Sequence, residues 1–173
     1  MALTGKHVMI LVETAYNDLE LWYPYYRLKE EGAAVVVVGP AAGAKYSGKA
    51  GIVIQADQGM AEVKAADFDA LVIPGGYAPD HMRRHAPMVE LVRSFHAAGK
   101  TVAAICHAGW LLASAEILRG RKATAFFAIK DDLIHAGADY VDAEVVVDGN
   151  LITSRQPDDL PAFMKAIIKR ILF

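Results

Sequence analysis

The sequence predicts an α/β fold with a mostly parallel central sheet, and three observations carry that expectation. Short apolar runs without polar alternation recur at residues 7–12, 33–38, 68–73 and 102–105, as expected of strands covered on both faces. Segments of helical periodicity stand between or after these runs. Each of the first three runs ends in a turn signal or a polar residue, where open α/β sheets place their ligand crevices.

Taken in order, the first run ends at Glu13 and Thr14. Asn17 then reads as the N-cap of a helix, with Glu20 three residues on in the position of a capping box. Pro24 inside this segment predicts a kink or a later start, because it removes a backbone donor and crowds the carbonyl of Glu20. The second run closes at Gly39-Pro40, and residues 41–60 read as a small peripheral hairpin. A helical turn is expected at 62–66. The third run stops at Pro74-Gly75-Gly76, whose glycines permit positive φ and let backbone N–H groups approach a ligand closely. Residues 78–81 start a short helix, and 87–98 form an amphipathic one.

The run at 102–105 leads directly into Cys106-His107 and a helix expected to reach about Leu118. Cys106 is the only cysteine in the chain. On a strand-to-helix turn a thiol is lifted above the sheet edge, and unpaired helix N–H groups favour its thiolate. Adjacency alone does not establish a bond between the sulfur and the His107 ring. Residues 123–125 read as a short strand and 129–136 as a helix. Residues 141–153 read as a hairpin turning at Asp148-Gly149, and a final amphipathic helix opens at Pro157.

The totals exclude several function classes. At 173 residues and 54% hydrophobic content, one domain with a sizeable core is expected. Charge is nearly balanced, 18 Lys+Arg against 20 Asp+Glu, so nothing favours nucleic acid or an anionic membrane as partner. One cysteine excludes an internal disulfide framework, and no signal-peptide or membrane-length apolar run is evident; a soluble, cytoplasmic protein is expected. His81, His85 and His96 lack the companions of a metal site, so neither metal nor cofactor is expected.

Several blocks resemble the PfpI intracellular protease family of the ThiJ/PfpI superfamily. They are Pro74-Gly75-Gly76, Ala104-Ile105-Cys106-His107, the segment 118–122, the segment 142–149, Thr153-Ser154-Arg155 before 157–160, Tyr23-Pro24-Tyr25 and the segment 27–32. The resemblance covers nearly the whole chain with the blocks in order. It implies a flavodoxin-like sandwich related to the class I glutamine amidotransferase fold. It further implies Cys106 as nucleophile and His107 as general base or orienter. Asp80, supplied by a neighbouring subunit of a dimer or hexamer, would complete a triad, one methylene shorter than the family's usual glutamate.

Gly75 and Gly76 would form the oxyanion turn, with the hole itself made by the N–H groups of Gly76 and His107. The family's first helix begins with a Glu-Asp pair whose glutamate shares a proton with the sulfur. Aligned on Asn17-Asp18, this chain would have lost that acid. Glu13, four residues earlier, would substitute only with a rearranged loop, and simple loss is the favoured expectation because Asn17 also suits a helix cap. The implied activity is thiolate attack on a carbonyl of a peptide or small molecule. A glyoxalase or deglycase reaction, or a redox-sensing or chaperone-like stress protein without enzymatic activity, stands as the alternative.

Overall fold

The computed structural model describes residues 1–173. Strand β1 (His7–Leu11) leads to helix α1 (Asp18–Glu30) and β2 (Ala34–Gly39). The expected peripheral hairpin is β3 (Lys45–Ser47) with β4 (Val53–Gln55), followed by a short β5 (Gln58–Gly59). The helical turn before β6 (Ala70–Ile73) is a 3-10 turn at Ala65–Asp67. Helices α2 (Ala78–Met82) and α3 (Ala86–Ala97) precede β7 (Thr101–Ile105). A 3-10 turn at Cys106–Ala108 then passes into α4 (Gly109–Ser114), which stops four residues before the expected end. Next come β8 (Lys122–Ala123), α5 (Lys130–His135), β9 (Asp139–Tyr140), the hairpin β10 (Val145–Asp148) and β11 (Leu151–Ser154), and α6 (Leu160–Leu172).

The seven-stranded sheet runs β10-β11-β7-β6-β1-β2-β5, parallel throughout except for the β10-β11 pair. Every residue of β6 and β7 is buried, which is why their sequences lack alternation. The buried apolar residues of the sheet join those of α3, α4 and α6 in one connected core. No helix is long and apolar enough to cross a membrane.

Two expectations about α1 are corrected. The helix starts at its cap and continues through Pro24, so proline neither delays nor divides it. Asn17 does cap, its side-chain oxygen accepting from the N–H groups of Leu19 and Glu20 at 3.1 and 3.4 Å. Glu20, however, does not close a capping box. Its side chain leaves the helix for the loop after β6, where Gly75 N–H donates to Oε2 at 2.7 Å. The Asn17 amide N–H is instead engaged by the carbonyl of Gly75 at 3.2 Å. The loop after β6 thus takes over both ends of the expected box.

Candidate active site

The central strands β1, β6 and β7 end at the same rim, and their three following loops meet there. Tyr16 in the first loop bridges Gly76 in the second. Gly76 adopts φ +74°, and a Cβ there would lie 2.5 Å from the Ala15 carbonyl oxygen and from the Asn17 nitrogen. At Gly75 a Cβ would lie 2.6 Å from Glu20 Oε2 and 2.7 Å from Cys106 Cβ. Only glycine lets this loop press against both the carboxyl and the cysteine.

Cys106 itself has φ +61°, a left-handed conformation uncommon for a residue with a side chain. That torsion, followed by the 3-10 turn, brings the His107 ring back over the sulfur: Nδ1 lies 3.2 Å from Sγ. Adjacent side chains ordinarily diverge, so sequence spacing alone did not reveal this contact. The backbone N–H groups of His107 and Gly76, the two amides expected of an oxyanion hole, lie near enough to the sulfur to favour its thiolate. The His107 ring stacks on Phe126 and meets Trp110 edge-on, which fixes its plane.

The acid beside the sulfur is Glu20. Its carboxyl is fully buried and packs with Cys106 against the same face of Gly75, close enough for its charge to act on the thiol. The expectation that Asn17 leaves the cysteine without a titrating neighbour is therefore corrected: the glutamate one helical turn further along points inward, while Asn17 lines the mouth and caps the helix. Glu13 is no substitute either. Its Oε1 accepts from Thr14 N–H at 2.7 Å and its Oε2 lies 3.0 Å from His85 Nε2. His85, expected to be solvated, is thus half-buried in a pair.

Burial and the nearby thiol decide the protonation of this pair. Desolvation raises Glu20 to about 7, opposed by the Gly75 N–H, by the thiol and by the charge of Lys49. Desolvation first, and then the negative charge of Glu20, push the Cys106 thiol up to about 12, opposed by the two amides. Two anions are not tolerated in this enclosure, so the pair keeps one proton between them. This differs from the expected ready-made thiolate, and the cause is burial: only 7% of Cys106 is exposed. His107 is lowered by desolvation and then by Lys49. Its ring is thus held neutral and able to accept a proton.

Above the sulfur lies a cavity of about 310 Å³ lined by Asn17, Lys49, Gly76, Tyr77, Cys106, His107, Phe126 and Pro157. Lys49, Tyr77, Phe126 and Pro157 carry no local motif, and sequence reading missed them; they arrive from four different loops. Asp80 does not reach this cavity within the chain. It sits on α2 in an ion pair with Arg84. No cluster of three or more His, Cys, Asp or Glu side chains has the arrangement of a metal site.

Fold and geometry together define a class of protein: a parallel α/β sheet organised around one cysteine at the turn from its central strand into a helix, with an imidazole and a proton-holding carboxyl beside it. The chain belongs to the DJ-1/PfpI family, whose sequence pattern matches residues 6–170. It is 48% identical over 162 residues to a deglycase of Pyrococcus abyssi, covering 94% of this chain and 97% of that one. It is 42% identical over 159 residues to a putative cysteine protease of Bacillus subtilis, covering 92% of this chain and 94% of that one. Among solved structures, a two-domain protein of Anabaena variabilis with DJ-1/ThiJ/PfpI-like and ferritin-like domains superposes with TM-score 0.94 at 49% identity. The match covers 96% of this chain and 48% of that longer one.

Proposed function

We propose that this protein is a cysteine-dependent hydrolase in which Cys106 attacks a carbonyl carbon, and that its reaction is deglycation of α-oxoaldehyde adducts. The contact that carries the chemistry is Cys106 Sγ to His107 Nδ1 at 3.2 Å, with Glu20 on the sulfur's other side. The thiol proton passes to His107 Nδ1 or to the Glu20 carboxylate as sulfur bonds to carbon, and the carbonyl electron pair moves onto oxygen. The N–H groups of Gly76 and His107 stabilise that oxyanion. The carbonyl attacked is the aldehyde freed when the adduct's bond to the modified thiol or amine breaks, the adduct's hydroxyl proton leaving with that group. In the resulting Cys106 hemithioacetal the proton on the sulfur-bearing carbon then moves to the neighbouring carbon through an enediol, which leaves a thioester on Cys106. Water splits the thioester into a 2-hydroxy acid and the free thiol. Overall, one water is consumed and the modified group is returned unmodified.

Two observations favour this over cleavage of long peptides. The cavity is small, with Cys106 in its wall, and the name of the Pyrococcus abyssi relative points to deglycation. The peptidase reading rests on the same thioester and on the name of the Bacillus subtilis relative. For either reaction His107 needs an orienting acid, and no protein partner within hydrogen-bond reach occupies its Nε2. We assign that role to Asp80 of a neighbouring copy in a homo-oligomer.

The test is incubation with methylglyoxal-modified N-acetylcysteine and, separately, with a fluorogenic peptide. Release of lactate by the parent protein, absent in Cys106→Ser, is the expected result. Peptide cleavage without lactate release would replace this reading by the peptidase one, and inactivity toward both would remove the enzyme altogether.

A further inference from the structure

One cation stands at the mouth of the site, and nothing in the reaction as written uses it. Lys49 lines the cavity, is solvent-exposed and has no carboxylate within ion-pairing distance. Its placement is built by the backbone around it. The loop between β3 and β4 is clasped by the start of α1: Asp18 accepts from Ala50 N–H at 2.7 Å and from Ile52 N–H at 3.2 Å. The Lys49 N–H donates to the Tyr16 carbonyl at 2.8 Å, and the Tyr16 hydroxyl donates to the Ile52 carbonyl at 2.6 Å. Gly48 packs so tightly on Asp18 that a Cβ there would lie 2.3 Å from Oδ1. A buried aspartate and a buried tyrosine thus fix a five-residue loop whose only charged side chain faces the cavity.

Without a ligand this charge disfavours the imidazolium that forms when His107 takes the proton, while it favours the carboxylate of Glu20. An anion bound beside Lys49 cancels that effect.

We infer that Lys49 receives a carboxylate of the substrate, so that the site selects carbonyl compounds bearing a single negative charge close to the carbon that Cys106 attacks. The inference rests on the carbonyl chemistry proposed above and adds its substrate class. A lone ammonium with no arginine beside it matches one carboxylate better than a phosphate dianion, whose second charge would face the buried Glu20. Asp18 is then a positioning residue, acting through the loop.

The experiment reads the charge preference of the sulfur without requiring turnover. Cys106 is alkylated with iodoacetate and with iodoacetamide; in each, sulfur displaces iodide and the thiol proton is released. The ratio of the two rate constants cancels differences in thiol reactivity common to both reagents. The Lys49→Met variant is expected to lower the iodoacetate-to-iodoacetamide ratio by about tenfold relative to the parent. Lys49→Glu should lower it further, and Lys49→Arg should keep it within about twofold of the parent. Asp18→Asn, which keeps the loop's lysine but weakens its clasp, should give an intermediate ratio. An unchanged ratio in Lys49→Met, with folding confirmed by circular dichroism, would overturn the inference and leave the carbonyl chemistry standing. A Lys49-dependent ratio in a protein that releases no lactate would instead keep the anion site and remove the proposed reaction.

Discussion

At the amino-terminal rim of the sheet Lys100 donates to the carbonyls of Ala65, Ala66 and Phe68, Asn150 donates to those of His96 and Lys100, and Asp69 accepts from the His7 N–H. At the carboxyl rim Glu20 is buried with Oε1 lacking a conventional partner. Two of the three non-glycine residues with positive φ, Ala15 and Cys106, stand there as well. Both rims belong to the same strands. One satisfies its polar groups except for the buried Nδ1 of His96, while the other holds a carboxyl, a thiol and a strained torsion whose costs are offset by the packing around them. The contrast locates chemistry without reference to any relative, because stability alone would have resolved the second rim as it did the first.

That contrast can be broken by substitution on either side. Cys106→Ser should reduce lactate release at least a thousandfold and leave the fold intact, as measured by turnover and thermal melting. Glu20→Gln keeps an acceptor for Gly75 N–H but cannot hold the shared proton; turnover should fall about a hundredfold, within the range ordinary for a lost acid-base group. The same variant tests the energetics of burial. The folded-state pKa of Glu20, about 7, lies above the ordinary 4.5, so its contribution is complete below pH 4.5 and is lost as pH rises through about 7. Urea titration of the parent should show stability falling across that window by up to about 3 kcal/mol, and the glutamine variant should lack this component.

Gly75→Ala drives a methyl into Glu20 and Cys106. It should cost about 2 kcal/mol of stability or more and reduce turnover through displacement of the carboxyl. At the opposite rim Lys100→Met should destabilise by about 2 kcal/mol, since three carbonyls lose a charged donor, yet leave turnover per folded molecule unchanged. Asp69→Asn should be the mildest, below about 1 kcal/mol, because its ion pair with Lys6 at 3.6 Å is partly exposed on both sides. A large loss of activity in Lys100→Met would refute the division of labour between the rims.

The sheet was legible because its strands are short, apolar and bounded by turn residues; β1, β2, β6 and β7 all fall where periodicity put them. So did the strand-to-helix turn at Cys106, whereas the pairing of the Gly76 and His107 amides was an expectation of the family resemblance alone. What was misread turned on long-range geometry. Glu20 sits three residues after an N-cap, and sequence alone gives that position a local role in the helix start. Only the approach of the Gly75 loop, 55 residues away, draws it inward. The Cys106–His107 contact depends on one torsion that no spacing encodes. Lys49 was invisible because a lysine in a hairpin loop looks like any solvated charge until the clasp by Asp18 is seen. The relation of Asp80 to a site lies beyond one chain, and its side chain here is occupied by Arg84.

The left-handed torsion at Cys106 sets folding and reactivity against each other at a single residue. A glycine would adopt the same bend at no steric penalty, whereas any side chain there is held at a cost on the order of 1 kcal/mol. The backbone would therefore fold more comfortably with its nucleophile deleted, and Cys106→Gly offers an inert scaffold whose remaining wall, amides and ammonium can be studied with ligands bound but unconverted.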